Sequence, residues 1–413
     1  MVRRRRSRKR VAEQQNSYLS DAESQLPRFA STPDEMQRAV ERNSIKRGIF
    51  FIRNLVALDF DGLLRLVTEL ASGYDKEEWY ADREGLWIDA DALRVLDSAD
   101  PPVPYPYYFC TPEILRTHPV LVMYYRNVGM VSQKVMNDMG LSTITYEAGV
   151  VPPLDVARDL TQHFNEIVNA LVKATQVTPH RHLEMAYSNL GDSLGGSWRN
   201  EVGRLAWVEV ITPLAVHLHR QGYLGSISYS LKGAIVESGT EAQGEPGMVH
   251  TLTLTDSTDL EPELAVLEEQ RLVYRELSLR NGNRLLLNRQ ITWTDPEGQA
   301  HRIGPDLFAS SGGDDMLWGG ELKGGADPAG SDEHWKTATQ AFNRILFACE
   351  STGRPKPPLS FIATILVERV AREAAEWIQR GKLESVYNLT QIAEDCKKQQ
   401  RFLDDLTSFL GCC

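Results

Sequence analysis

Asp306, Glu321 and Lys323 are the residues of this chain whose types and spacing could do chemistry together. In the string IGPDLFASSGGDDMLWGGELKGGADPAG the aspartate follows a proline, and a Glu-Leu-Lys triplet comes fifteen residues later. Side chains alternate across a strand, so Glu321 and Lys323 should share one face while Leu322 points the other way into a core. If Ile303 to Phe308 runs beside that strand, through a hairpin at SSGGDD, Asp306 arrives next to Glu321. Two converging carboxylates repel unless a cation sits between them. Mg²⁺ suits such a pair, because it takes one or two carboxylates, keeps several waters and leaves positions for phosphate oxygens. Hydrolysis of a phosphodiester needs a metal to polarise the phosphoryl oxygen and a cation near the developing charge. Asp306 and Glu321 are therefore expected as metal ligands. Lys323 is expected to orient or activate the attacking water and to stabilise negative charge. The glycine pairs 319–320 and 324–325 weaken a strand unless something must approach its backbone, and a phosphate chain is one such thing. A bland reading stands beside this one: E-x-K is a common surface charge pair, and Pro-Asp is an ordinary turn signal.

The elements that must position these residues are legible in outline. Ser31 or Thr32 reads as an N-cap before Pro33 and two acids, opening a helix. From there to about residue 175 the pattern is mainly helical. TPEILRTHPVLVMYYRNVGMVSQKVMNDMG reads as a buried helix pair broken at Pro119, and LDVARDLTQHFNEIVNALVKATQ as one amphipathic helix. SNLGDSLGGSW reads as a looser stretch, EVGRLAWVEVITPLAVHLHR as helix, YLGSISYSLKGAIV as strand and ESGTEAQGEPG as a surface loop. DLEPELAVLEEQRLVYRELSLR reads as a helix. RLLLNRQITWT, HRIGPDLFAS and DDMLWGGELKGG then read as strands, followed by a helix with a Trp335, Ala338, Phe342, Ile345, Leu346, Cys349 stripe. The fold class is mixed α/β: a central mixed sheet flanked by helices, plus a helical N-terminal region. The organisation expected is a basic, disordered arm over 1–30, a mainly helical region over 31–190 and a catalytic domain over 191–413.

GPD followed by ELKGGADPAGSDEHWKTA resembles the PD-(D/E)XK nuclease superfamily, and the longer string is similar to type II restriction endonucleases, with the XamI-like subgroup as the comparison. The likeness covers residues 285 to 350 closely, and more diffusely YYRNVGMVSQK and GKLESVYNLTQIAED. Its motif falls on Pro305-Asp306 and Glu321-Leu322-Lys323. The resemblance implies a site-specific hydrolase of duplex DNA that depends on Mg²⁺ and leaves 5′-phosphates, within a restriction-modification system that includes a DNA methyltransferase. Such sites often take a further carboxylate from an upstream helix; Glu268, Glu269 and Glu276 are all eligible. One site cuts one strand, so a double-strand cutter is expected as a homodimer whose two-fold symmetry matches a palindromic target. Two other readings stay open: a repair or junction-resolving nuclease of the same superfamily, and a non-enzymatic nucleic-acid-binding protein.

Composition constrains rather than decides. The formal charge of −11 argues against a nucleic-acid binder, although local charge matters more than the total. The start, MVRRRRSRKR, holds seven of the 45 basic residues, and Arg3, Arg4, Arg5 and Arg6 are expected to touch phosphates. Ser331, Asp332 and Glu333 suit a helix start with Ser331 as N-cap, from which His334 and Lys336 could reach DNA, and Asp327 could help hold a metal. The five cysteines are scattered and lack a CxxC pair, which disfavours disulfides and a zinc ribbon; Cys412-Cys413 could pass for a prenylation signal. No run is long and apolar enough for a membrane span and no signal peptide is expected, so a cytoplasmic protein without membrane contact is anticipated. No G-K-[ST] ending follows the glycines, which disfavours an ATPase, and no G-x-S-x-G elbow supports a serine hydrolase. The histidine pairs 180/182 and 217/219 diverge on helices, and the aromatics of PYPYYF are more often packed than stacked on bases.

Overall fold

A computed structural model describes residues 26–232, 248–312 and 315–412. The described residues fall into two compact units. One draws on residues 26–46, 201–232, 248–312 and 315–412, the other on 47–200. Helices Pro33–Ala57 and Arg181–Arg220 each contribute to both.

The unit containing residues 47–200 is helical. Its core is Phe60, Leu63 and Val67, Leu93 and Leu96, Tyr105, Tyr108 and Phe109, Leu121 to Tyr125, and Leu160, Phe164 and Val168. The last three lie on helix Leu154–Ala174, where they recur at helical spacing on the buried face. The chain breaks at Pro119 between helices Pro112–Thr117 and Leu121–Val128, as the sequence implied. SNLGDSLGGSW departs from expectation, because it lies inside the 40-residue helix Arg181–Arg220. A helical glycine costs about 1 kcal/mol relative to alanine. Burial of Leu190, Leu194 and Trp198 on one face outweighs that cost here.

The other unit is built on a sheet of strands β1 (Leu224–Leu231), β2 (His250–Thr253), β3 (Leu272–Leu279), β4 (Arg284–Leu287), β7 (Leu307–Ser310), β8 (Met316–Lys323), β9 (Leu359–Ala363) and β10 (Ser385–Asn388). The spatial order is β10-β9-β8-β7-β4-β3-β1-β2. β8, β9 and β10 pair in parallel and the remaining neighbours antiparallel, so the sheet is mixed. Strands β5 (Ile291–Thr294) and β6 (Ala300–Ile303) form a separate antiparallel pair. Both sheet faces are covered. Leu285, Ala309, Leu322 and Ile362 pack with Val210 and Leu214 of helix Arg181–Arg220 and with Phe402 and Leu406 of helix Cys396–Phe409. Leu286, Phe308, Phe361 and Ala363 pack with Phe342 and Ile345 of helix Ser331–Thr352 and with Val370 and Ala374 of helix Glu368–Gln379. Neighbouring residues of one strand enter opposite clusters, as period-2 patterning requires. This is the mixed α/β architecture anticipated, with a large mixed sheet flanked by helices and a helical N-terminal region, consistent with a restriction-endonuclease-like fold.

Two strand-like segments each divide: RLLLNRQITWT into β4 and β5, and HRIGPDLFAS into β6 and β7. The long helix expected over 259–280 stops at Glu269. Arg271 adopts φ 58°, and β3 begins at Leu272. The loop ESGTEAQGEPG and the arm carrying Arg3, Arg4, Arg5 and Arg6 lie outside the described residues apart from a few flanking positions. Among the described residues no helix is long and apolar enough to cross a membrane.

Candidate active site

The site forms where β7 begins and β8 ends. Leu307 pairs with Gly320 and Phe308 with Gly319, and this antiparallel register carries the preceding Asp306 to the level of Glu321 and Leu322. The anticipated hairpin is therefore present, with Asp306 just ahead of the strand rather than within it. Parity does the rest. Leu322 enters the cluster beneath the sheet, while Glu321 and Lys323 face the side covered by helix Ser331–Thr352. Asp306 is anchored twice through the backbone: its carbonyl accepts from Asn288 N–H at 2.8 Å, and its Oδ2 accepts from Leu322 N–H at 2.9 Å.

Lys323 Nζ bridges the carboxylates, donating to Asp306 Oδ2 at 3.0 Å and to Glu321 Oε2 at 2.8 Å. Glu321 is 3% exposed, whereas the side chains of Asp306 and Lys323 are 24% and 20% exposed at the rim. The Glu321 carboxyl is pushed up to about 7, first by burial and then by the charge of Asp306, with Lys323 opposing both. Burial pulls the Lys323 ammonium down, but Asp306 and Glu321 outweigh it and its pKa is raised. When both acids are ionised the set carries two carboxylates against one ammonium, an excess of negative charge that a divalent cation would neutralise. Its donors are hard oxygens of the kind Mg²⁺ prefers, and they are few enough to leave positions for water and phosphate, so Asp306 and Glu321 fit a metal. Among the described residues no group of three or more His, Cys, Asp and Glu side chains is placed to hold a metal ion.

The other sequence candidates separate. His334 is brought close: its Cε1 stands 2.5 Å from where a Gly325 Cβ would be, and burial followed by the charge of Lys323 lowers its pKa. Lys336 is exposed and lies 3.8 Å from Glu333. Asp327 Oδ1 accepts from Ala329 N–H at 3.0 Å, within its own turn. Ser331 is buried as the first residue of its helix, and Gly330 takes the cap position expected for it. Glu268 is held by Arg204 at 2.8 Å, and Glu276 accepts from Ser278 at 2.9 Å on strand β3 rather than on a helix. The protein itself fills the space left by the glycines. Gly324 abuts Ala206 and Val202 of helix Arg181–Arg220, Gly320 lies under Trp318, and Gly325 lies under His334. The close approach that these glycines permit is therefore internal packing, where the sequence suggested a phosphate chain. The Leu322 N–H that fixes Asp306 was not foreseen, since no side-chain pattern marks a backbone donor.

Residues 309–399 match the family model described as restriction endonuclease BsobI. Glu321, Lys323, His334 and Lys336 fall inside that segment and Asp306 just before it. Type II restriction enzyme BsoBI of Geobacillus stearothermophilus is 44% identical over 72 residues, which is 17% of this chain and 22% of that enzyme. Type II restriction enzymes AvaI of a Nostoc species and of Anabaena variabilis are 44% identical over equally long stretches. The chain thus matches about a fifth of the length of these curated relatives. Over this segment the likeness is to type II restriction endonucleases, as the string around Glu321 implied, with BsobI where the sequence suggested the XamI-like subgroup.

Proposed function

We propose that the chain is a type II restriction endonuclease that cuts both strands of DNA at a specific sequence, requires Mg²⁺ and leaves 5′-phosphates. The observation that carries this reading is the hydrogen-bonded set of Asp306, Lys323 and Glu321, with Glu321 and Lys323 inside the segment that matches the restriction endonuclease BsobI family model. Asp306 and Glu321 would hold the metal through their carboxylate oxygens. Mg²⁺, when bound, would polarise the phosphoryl oxygen and lower the pKa of a water. Lys323 would point its ammonium at the attacked phosphate, orient the incoming water and stabilise the charge that builds up there. The backbone bond from Leu322 to Asp306 keeps the first carboxylate from swinging away. His334, beside Lys323, and Lys336, exposed two residues further along the same helix, would contact phosphates.

A single metal site per chain serves one strand, so the active form is a homodimer on a palindromic duplex, paired genetically with a methyltransferase that protects the host's own sites. The test is plasmid DNA with Mg²⁺. Discrete fragments that vanish in Asp306→Ala and Lys323→Ala support the assignment, whereas full cutting by both variants refutes it. Preference for nicked, flapped or branched DNA would point to a repair or junction nuclease. Inactivity with every divalent metal, together with DNA binding, would point to a non-enzymatic binding protein.

A further inference from the structure

Beside Lys323 the strand ends open into a cleft of about 70 Å³ floored by Gly324 and Thr364. Thr364 N–H donates to the Lys323 carbonyl at 3.0 Å, so the cleft and the site share one backbone. Its outer wall is helix Pro33–Ala57, which presents Arg42, Asn43 and Lys46. Arg38, Arg42 and Lys46 recur every four residues, which sets them about 6 Å apart along one face of that helix. Each is held by a carboxylate. Arg38 meets Glu394 at 2.8 Å, Arg42 lies 3.2 Å from the same group, and Lys46 is paired with Glu209. These contacts are open to water: Arg42 and Lys46 are 43% and 45% exposed, and exposed ion pairs add little to stability. Two cationic side chains and an amide on one wall suit a phosphate group. A chain of net charge −11 must concentrate its phosphate contacts locally, and this cleft does so next to the strand end that carries Lys323.

Building on the nuclease reading, we infer that Arg42 and Lys46, assisted by Asn43, bind a DNA backbone phosphate adjacent to the one being cut, and that Glu394 and Glu209 occupy these cations until DNA displaces them. Carboxylate and phosphate are alternative partners of the same guanidinium or ammonium group, so the glutamates stand in for the absent strand and compete with it.

The two sides of each pair then act in opposite directions on DNA. The measurement is the anisotropy of a fluorescently labelled linear duplex of mixed sequence, titrated over a series of salt concentrations without divalent metal. Arg42→Gln and Lys46→Gln should each weaken binding about tenfold and lower the slope of log affinity against log salt by about 0.9. Glu394→Gln and Glu209→Gln should tighten binding. A purely structural ion pair gives another pattern: all four variants lower the melting temperature alike and leave affinity and slope unchanged. That result overturns the inference, as does weaker binding by the glutamate variants. Wild-type protein that cuts plasmid with Mg²⁺ while the four variants show the structural pattern leaves the nuclease reading standing and removes this subsite alone. Wild-type protein that neither binds duplex nor cuts plasmid removes both.

Discussion

Replacing Gly324 with alanine tests how the site is held. The residue follows Lys323 directly, and a Cβ built there would stand 2.4 Å from Ala206 Cβ and 2.9 Å from Val202 O. Carbon atoms pack at about 3.5–4.0 Å, so the new methyl group is short of space by about 1 Å. Neither neighbour is the end of a flexible side chain, so the helix or the strand end must move. Overpacking of this kind costs about 1–3 kcal/mol. At about 2–4 °C per kcal/mol, the melting temperature should fall by roughly 2–12 °C. The end of β8 carries Lys323, and a displacement of about 1 Å in a catalytic group lowers rate by about a hundredfold. Differential scanning calorimetry reads the first effect and plasmid cleavage the second. Ala206→Gly in the same chain removes the nearer contact and leaves Val202 O, so it should restore part of the loss in both assays. A Gly324→Ala protein with wild-type melting and wild-type cleavage would refute the reasoning, and so would strict additivity in the double variant.

Two further outcomes concern the helical unit. His182 is buried, lies 2.8 Å from Tyr124 Oη and stacks on Tyr107; burial pushes its pKa down to about 4. The unfolded chain binds a proton near pH 6.5 that the folded chain refuses until about pH 4, so the stabilisation is complete above pH 6.5 and is lost as pH falls toward 4. Denaturant titrations should show a decline of about 3 kcal/mol across that window that is missing in His182→Gln. Equal declines in both proteins would exclude His182 as the cause. Arg126 and Glu147, both buried, meet at 2.6 Å, and Glu147→Gln strands a guanidinium inside the core. Its unfolding free energy should drop by about 3–5 kcal/mol, while joint replacement by Arg126→Met and Glu147→Leu should cost less; a double variant no better than the single would count against burial as the reason.

Much of the candidate site was legible because its chemistry rests on a local period. Two residues apart on any strand means one face, so Glu321 and Lys323 were bound to meet once the segment was extended, and Leu322 was bound to enter the core. Helix Leu154–Ala174 and the stripe from Trp335 to Cys349 were readable for the same reason, since 3.6-residue periodicity survives in the sequence. Where a segment carried two periods, the reading failed. LVYRELSL places Leu272, Tyr274, Leu277 and Leu279 so that either a helix or a strand could bury them, and the left-handed turn at Arg271 decides for strand. Gly191, Gly195 and Gly196 suggested a loose stretch, yet they sit in helix because Leu190, Leu194 and Trp198 around them are buried.

The chain by itself thus determined which residues could form a metal-binding pair with an ammonium beside it, and that β7 and β8 could form a hairpin. Tertiary structure decided the rest. The register of Leu307 on Gly320 sets Asp306 at the level of Glu321, and burial under helix Ser331–Thr352 raises the Glu321 carboxyl toward neutrality. The packing of helix Arg181–Arg220 on Gly324 and of His334 on Gly325 explains glycines whose purpose the sequence left open. Each of these depends on segments distant in the chain, and neither side-chain period nor spacing records which distant surface will arrive.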